Sequence, residues 1–235
     1  MNIKISKNKE FDQFNLLAGE WWNPEGKFKI LHKILPIRMK YITENINYNK
    51  LKKMKILDLG CGGGLTCESL ARLGTNVTGI DFIKKNIEIA TKHAKISKLK
   101  INYIVDDLDS IKIKDKYDLI LVLEVLEHLE NWEALIIKIK NNLKPNGKII
   151  ISTINQTELA NIFGIFFAEN ILKWIPKNTH NYKKFIKPTN LKKILKKNNF
   201  VIQDISGMNF NPFLGQWNLS KKKYPINYFC TASLN

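Results

Sequence analysis

The sequence contains few cysteines, almost no arginine and no long apolar run. Three cysteines in 235 residues are too few for a disulfide framework, and their spacing does not match a zinc site. No stretch of about 18 apolar residues is present, so we predict no transmembrane helix. The first residues also lack the apolar core of a signal peptide. We therefore expect a reduced, cytoplasmic protein.

The charge is strongly positive, with 38 Lys and Arg against 21 Asp and Glu and a formal net charge of +17. Such a charge could indicate a nucleic acid or an anionic membrane as partner. However, only Arg38 and Arg72 are arginines, and Lys, Ile and Asn are abundant throughout, as in proteins of AT-rich genomes. The net charge therefore does not by itself identify a partner. Arg38 stands out because a guanidinium makes planar, bidentate contacts that a lysine cannot make.

The middle of the chain alternates short apolar runs with helical patterns, which predicts a mostly parallel sheet with helices on both faces. We expect one domain with a Rossmann-like α/β fold and seven strands. The expected strands are 54–60, 76–81, 101–105, 117–123, 148–153 and two near 200–206 and 226–232. The expected parts are an N-terminal helical cap at 9–45, a cofactor-binding core at 54–155, an insertion at 156–188 that forms a lid for substrate and membrane, and a C-terminal helix and strands at 189–235.

A glycine-rich stretch, LDLGCGGG, lies at the turn between the first expected strand and the helix that follows. Gly60, Gly62 and Gly64 allow a positive φ and a close approach of a ligand. The helix that follows directs free N–H groups towards the same place. Asp81 ends the next expected strand, where a carboxylate can accept hydrogen bonds from both hydroxyls of a ribose. Together these features predict a site for a nucleoside cofactor.

The spacing of Asp58 before these glycines differs from the dinucleotide pattern G-x-G-x-x-G. It resembles the first motif of the class I S-adenosylmethionine-dependent methyltransferases. That resemblance implies S-adenosylmethionine as the cofactor, with its ammonium near Asp58. It also implies an acidic residue after the third strand, Asp106 or Asp107, beside the adenine.

Longer stretches resemble a narrower family, the bacterial ubiquinone biosynthesis O-methyltransferases, from about Phe11 to Tyr228. These stretches are EWWNPEGKFKILHKILPIRMKYI, LDLGCGGG, VTGID, EVLEH and IPKNTHNYKKFIKP. The resemblance implies methyl transfer to the ring hydroxyls of polyprenylated catechol and quinol intermediates, namely 2-polyprenyl-6-hydroxyphenol and 3-demethylubiquinol. It also implies that the cofactor contacts Arg38, Gly60, Asp81 and Leu123.

Three polar residues, Glu124, Glu127 and His128, follow the fourth expected strand, at the sheet edge where α/β folds place their sites. If a helical turn begins at Glu124, all three side chains fall on one face. Two ways of activating a phenol stay open. His128 could act as a general base, or the three residues could hold a divalent metal ion that lowers the pKa of the hydroxyl. The resemblance favours a metal, Mg or Mn, and the histidine suits manganese better than magnesium.

The segment FGIFFAENILKWIPKNTHNYKKFIKP, residues 163–188, joins an apolar, aromatic run to several lysines. Since the implied substrate has a polyprenyl tail in the bilayer, we expect this segment to lie on an anionic membrane surface. The residues expected at this surface are Phe166, Phe167, Lys173, Trp174 and Lys177. The protein would then be cytoplasmic and peripherally associated with the inner membrane. Alternatively, the segment forms a packed subdomain over the sheet.

Several other interpretations stay open. Trp21 and Trp22 either anchor the N-terminal segment in the core or close over the active site. A methyltransferase that acts on RNA would suit the positive charge, but LEVLEH lacks the Asn/Asp-Pro-Pro-aromatic loop of amino-methylating enzymes. Another small phenolic substrate is a further possibility. A cofactor- or lipid-binding protein without turnover, in a complex with other ubiquinone biosynthesis proteins, is the third class.

Overall fold

A computed structural model of the protein describes residues 15–161, 182–211 and 215–234. Its centre is an eight-stranded sheet with the order β3-β2-β1-β4-β5-β8-β6-β7. The strands are β1 (Lys55–Leu59), β2 (Asn76–Asp81), β3 (Asn102–Val105), β4 (Tyr117–Leu123), β5 (Leu143–Ile154), β6 (Phe200–Asn211), β7 (Gln216–Ser220) and β8 (Asn227–Leu234). The first five strands pair in parallel, whereas β8 is antiparallel to both β5 and β6 and β7 is antiparallel to β6. The carboxyl ends of β1 to β5 therefore meet at one edge.

Helices precede the first strand and follow β1, β2, β4 and β5, in keeping with the alternation that the sequence predicts. They are α1 (Lys29–Asn45), α2 (Tyr48–Leu51), α3 (Leu65–Arg72), α4 (Lys84–Ile96), α5 (Trp132–Lys140) and α6 (Pro188–Lys197). Local chemistry sets some of their ends. Asn131 precedes α5, and its Oδ1 accepts a hydrogen bond of 3.0 Å from the Ala134 N–H. Pro188 begins α6, where a missing N–H costs nothing.

The core lies on both faces of the sheet. Leu57 and Leu59 of β1 pack in one apolar cluster with Ile136 of α5, and Ile56 packs in a second cluster with Ile42 of α1. Successive side chains of a strand point to opposite faces, so a strand covered on both sides is apolar at nearly every position. This explains the continuous apolar runs of the sequence.

The predicted fold class is confirmed, although two details were wrong. The sheet has eight strands instead of seven, because β7 forms an additional edge strand beside β6. Its sequence, QWNLS, alternates polar and apolar residues over too short a length to stand out. The strand expected at 148–153 begins earlier, at Leu143, and residues 144–147 form an irregularity in its pairing with β4, where Asn146 has a φ of +61°.

No helix within the described ranges is both long and apolar enough to cross a membrane. The residues expected at a membrane surface, Phe166, Phe167, Lys173, Trp174 and Lys177, lie outside the described residues, so that expectation stays a prediction.

Candidate functional site

The glycine-rich loop joins β1 to α3 at the carboxyl edge of the sheet. Gly60, Gly62 and Gly64 have φ angles of +72°, +53° and +87°, which residues other than glycine rarely adopt. The N–H groups of Gly60 and Cys61 donate to the carbonyl of Ile80, over 2.7 and 3.0 Å. The loop is thus tied to the end of β2, and the α3 N-terminus begins directly after Gly64.

A side chain of the protein itself explains two of the glycines. A Cβ at Gly62 or at Gly63 would overlap the indole of Trp21. On its other side this indole stacks on Phe28, with ring centroids 4.1 Å apart and an interplanar angle of 10°. The predicted close approach to the glycines is therefore made in part by the N-terminal segment. Gly63, which the motif argument did not single out, is needed for this packing.

Asp81, at the end of β2, is buried and accepts three hydrogen bonds from the protein. The Gly62 N–H donates to its Oδ2 over 2.9 Å, and the Ile83 N–H donates to its Oδ1 over 2.9 Å. The third bond comes from the Asn86 side-chain amide, at 3.3 Å from Oδ1. Burial raises the pKa of Asp81, and the two backbone hydrogen bonds act in the opposite direction. Since a carboxylate offers about four acceptor positions, about one is left for a ligand.

Arg38 and Asp58 bring two opposite charges beside the loop. Arg38 projects from α1 and is 7% exposed, and its Nε has no hydrogen-bond partner within the described part of the chain. Burial lowers the pKa of Arg38, while the nearby carboxylates of Glu124 and Asp58 raise it. The buried Asp58 accepts a hydrogen bond from the Cys67 thiol over 3.2 Å, and burial raises its pKa to about 6. A guanidinium with an unused donor fits a carboxylate, and a buried carboxylate fits an ammonium.

The two remaining positions predicted to contact the cofactor, Leu123 and Asp107, also lie at the carboxyl edge. Leu123 is the buried last residue of β4. Asp107 is exposed just after β3, and its Oδ1 accepts from the Asp109 N–H over 3.1 Å. The preceding N–H, of Asp106, donates to the Asp81 carbonyl over 3.2 Å. This bond joins the backbone of Asp81, at the end of β2, to the turn that follows β3.

Glu124 leaves β4 in an unusual conformation, and the predicted helical turn from this residue was wrong. Its φ is +56°, and the next helical turn, Leu126–His128, begins two residues later. A left-handed backbone conformation is unfavourable by about 1–2 kcal/mol for a residue with a side chain. Three hydrogen bonds offset that cost. Its N–H donates to the Ser152 carbonyl over 3.0 Å, the Ser152 hydroxyl donates to Oε1 over 2.7 Å, and the Asn227 amide donates to Oε2 over 2.8 Å.

Glu127 is a buried carboxyl group beside Glu124 and His128. Its Oε2 accepts a hydrogen bond of 2.7 Å from the Thr153 hydroxyl. Burial and the charge of Glu124 raise the pKa of Glu127 to about 7, and His128 lowers it. His128 is half-buried at the end of the same short turn. A carboxyl group with such a pKa can exchange a proton near neutral pH, which general acid–base chemistry requires.

The same three residues do not form a metal site in this structure. Within residues 15–161, 182–211 and 215–234, no three His, Cys, Asp or Glu side chains form a group that could hold a metal ion. Both carboxylate oxygens of Glu124 instead accept hydrogen bonds from Ser152 and Asn227. The prediction of a metal ion held by Glu124, Glu127 and His128 therefore gains no support.

The polar partners of these acids were missed by the sequence argument. Ser152 and Thr153 end the predicted strand KIIIST, and polar residues at the carboxyl end of a parallel strand are a signal that could have identified them. Asn227 belongs to β8, which is antiparallel to β5 and lies far from Glu124 in the sequence. No local pattern marks it.

Comparison with known proteins identifies the class of protein to which the chain belongs. A family model described as a methyltransferase domain matches residues 34–205. The structure is similar to that of a magnesium protoporphyrin IX methyltransferase from Synechocystis PCC 6803, solved with bound SAH. Its TM-score is 0.65 at 20% identity, with 89% of this chain and 86% of that chain covered. An S-adenosylmethionine-dependent methyltransferase from Clostridium acetobutylicum has a TM-score of 0.60 at 15% identity, with 87% and 92% covered. The chain thus belongs to the family of methyltransferase domains, and it shares its fold with these solved methyltransferases.

Sequence relatives identify a narrower family. The chain is 46% identical over 223 residues to the ubiquinone biosynthesis O-methyltransferase of Rickettsia typhi, covering 94% of this chain and 90% of that protein. It is 45% identical over 228 residues to the enzyme of the same name from Pelagibacter ubique, covering 94% and 95%. The chain therefore belongs to the family of ubiquinone biosynthesis O-methyltransferases, and the resemblance found in the sequence is confirmed.

Proposed function

We propose that the protein methylates ring hydroxyls of polyprenylated catechol and quinol precursors of ubiquinone, 2-polyprenyl-6-hydroxyphenol and 3-demethylubiquinol. The observation that carries this proposal is the identity of 45–46% to ubiquinone biosynthesis O-methyltransferases over 94% of the chain. An RNA substrate or an unrelated small phenol has no comparable support.

The residues around the glycine loop fit S-adenosylmethionine. This cofactor supplies, when bound, a methyl group activated by a sulfonium. We infer that Arg38 binds its carboxylate and Asp58 its ammonium, because the Arg38 Nε has no partner among the described residues and Asp58 is a buried acid. Asp81 accepts a hydrogen bond from the ribose. Further contacts are proposed at Gly60, Gly62, Gly64, Asp107 and Leu123.

The acids after β4 are proposed to handle the proton of the reacting hydroxyl. A phenol has a pKa of ~10, so its oxygen needs help to become anionic. Glu127 and His128 lie side by side at the edge of the site, and either can receive this proton. Glu124, held by Ser152 and Asn227, is a fixed neighbouring charge that favours proton uptake at Glu127.

The direct test combines labelled S-adenosylmethionine with a short-chain demethylubiquinol, with and without EDTA. We expect label in the quinol, and sensitivity to EDTA would show whether a metal ion takes part. If the cofactor binds but no methyl group is transferred, the proposed substrate is contradicted. That result would favour an RNA substrate, or a protein that binds the cofactor without turnover.

Two variants test the roles of the acids. Glu127→Gln and His128→Ala should abolish turnover and leave cofactor affinity nearly unchanged, as measured by calorimetry. Glu133→Gln, a change of the same kind at an exposed residue of α5, is the matched control. If cofactor affinity is lost together with turnover in either site variant, the assignment is wrong.

We also propose peripheral association with the inner membrane, within reach of the polyprenyl tail and of other proteins of the pathway. The support is the composition of residues 163–188, which combines an apolar run with lysines. Helix α6, which follows, is basic too, with exposed lysines at Lys192, Lys193, Lys196 and Lys197, and Lys187 is exposed directly before it. Each lysine near an anionic surface is worth roughly 1 kcal/mol of binding.

Vesicle sedimentation tests this proposal. We compare a variant that carries glutamine at Lys173, Lys177, Lys183 and Lys184 with a control that carries the same changes on α4, at Lys84, Lys85, Lys92 and Lys95. We expect only the first variant to lose binding to anionic vesicles. If it pellets as fully as the control, the lysines of this segment do not bind lipid.

A further inference from the structure

Trp21, in the N-terminal segment, is connected to the cofactor site by a chain of buried hydrogen bonds. Its indole lies between Phe28 and the glycine loop, and its carbonyl is held by the His32 imidazole, with Nε2 2.8 Å away. The indole Nε1 donates to Oδ1 of Asn86 over 2.9 Å. Trp21 is 7% exposed and Asn86 is 2% exposed, so water does not compete for this bond.

The bond from Trp21 determines which end of the Asn86 amide faces Asp81. An indole N–H can only donate, so it must be met by the amide oxygen. The amide NH₂ group then points to Asp81, where it donates to Oδ1 over 3.3 Å. Without the indole N–H, the buried Asn86 oxygen loses its donor, and the amide can rotate away from Asp81 to reach another, which weakens its bond to Oδ1.

Asp81 depends on this third donor for its orientation. Its two other donors are the backbone N–H groups of Gly62 and Ile83, one on each oxygen and each at 2.9 Å. With the bond from Asn86, Oδ1 accepts two of the three hydrogen bonds, so the acceptor position left for a ligand hydroxyl is on Oδ2.

We propose that Trp21 is a positioning residue that acts through Asn86 to orient the Asp81 carboxylate for the ribose of the cofactor. This inference rests on the proposed role of Asp81 in the function given above. It also assigns a purpose to the N-terminal segment that goes beyond packing, because the segment helps to build the ribose site.

The test measures binding by calorimetry, and no methyl acceptor is needed. The two ligands are S-adenosylhomocysteine and its analogue with a dideoxyribose, which lacks both hydroxyls. The unchanged protein should bind the analogue more weakly. Trp21→Phe keeps the aromatic ring and removes the donor, so it should weaken S-adenosylhomocysteine binding about tenfold and leave the analogue nearly unaffected. The ratio of the two affinities is the diagnostic quantity.

Trp22→Phe is the matched control. The Trp22 indole donates to the Gly63 carbonyl over 2.9 Å and stacks on His93, but it does not contact Asn86 in the described structure. This variant should leave the ratio of affinities unchanged. Thermal unfolding of both variants checks that the fold is kept, and Asn86→Ala offers a second route to the same prediction, since it should also narrow the ratio.

Three results would overturn the inference. Equal weakening of both ligands by Trp21→Phe would mean that Trp21 supports the loop in general. An unchanged affinity for S-adenosylhomocysteine would mean that the indole N–H is not needed. A narrowed ratio in Trp22→Phe would assign the effect to docking of the whole segment. The proposed function fails in a different way, namely if the unchanged protein binds S-adenosylhomocysteine but transfers no methyl group to the quinol.

Discussion

Gly63 is the position in the glycine loop where one added methyl group should destabilise the protein through packing alone. A Cβ there would overlap the Cβ and indole of Trp21. The φ of Gly63 lies outside the positive range that strains other residues, unlike that of Gly62 at +53°. Gly63→Ala therefore introduces a steric overlap without a backbone penalty.

The expected size of the destabilisation by Gly63→Ala follows from the lack of room around Trp21. Its ring stacks on Phe28 at 4.1 Å on the other side, so it cannot retreat without moving the N-terminal segment. Overpacking of a buried site typically costs about 1–3 kcal/mol. We expect Gly63→Ala to lower the free energy of unfolding by that amount, measured by urea denaturation.

Two further variants make this prediction specific. Gly19→Ala is the matched control, since a Cβ at Gly19 meets no atom of the described residues within 4 Å. This variant should change the free energy of unfolding by less than about 0.5 kcal/mol. In a Trp21→Gly background the overlap is gone, because the Cβ at 2.5 Å is removed together with the indole, so Gly63→Ala should then cost almost nothing. If the two substitutions are additive, the overlap with Trp21 is not the cause of the destabilisation.

Three other predictions concern the charged and polar groups of the site. Because the pKa of Asp58 is raised to about 6, its carboxylate is lost as the pH falls, and cofactor affinity should drop about tenfold between pH 7 and pH 5. Calorimetry on Asp58→Asn should show no such dependence of the affinity on pH. In the protein without cofactor, a higher pH is instead unfavourable, because ionisation of the buried Asp58 lowers the free energy of unfolding as the pH rises from about 4 to about 6. Arg38→Lys keeps the charge but loses the bidentate geometry, so cofactor binding should weaken about tenfold, and an unchanged affinity would contradict the proposed contact. Asn227→Ala removes a donor to Glu124 and should cost about 1 kcal/mol in urea denaturation together with part of the turnover, whereas loss of neither would show that Asn227 does not hold this acid.

Much of the fold follows from short-range features of the sequence. The apolar run that forms β4 and the helical spacing in α5 indicate their structures through neighbouring residues alone. The same is true of the glycine-rich loop, because positive φ angles at Gly60, Gly62 and Gly64 depend mainly on the absence of a side chain. Since parallel strands share one carboxyl edge, the positions of Asp81 and Glu124 at that edge could also be predicted.

Local signals failed where distant parts of the chain compete with them. Glu124 has a left-handed backbone instead of the predicted helical turn, because Ser152 and Asn227 bind it from two other strands. The edge strand β7 forms because β6 offers it a partner, and its own residues give little indication of a strand.

The sequence by itself therefore determined the order of strands and helices, the cofactor class and the acids after β2 and β4. Only the tertiary structure decided that Trp21 packs on Gly62 and Gly63 and reaches Asp81 through Asn86. Local patterns depend on residues within a few positions of each other. The bond from Trp21 to Asn86 instead spans 65 residues, and its geometry exists only once the N-terminal segment has packed against the finished sheet and α4.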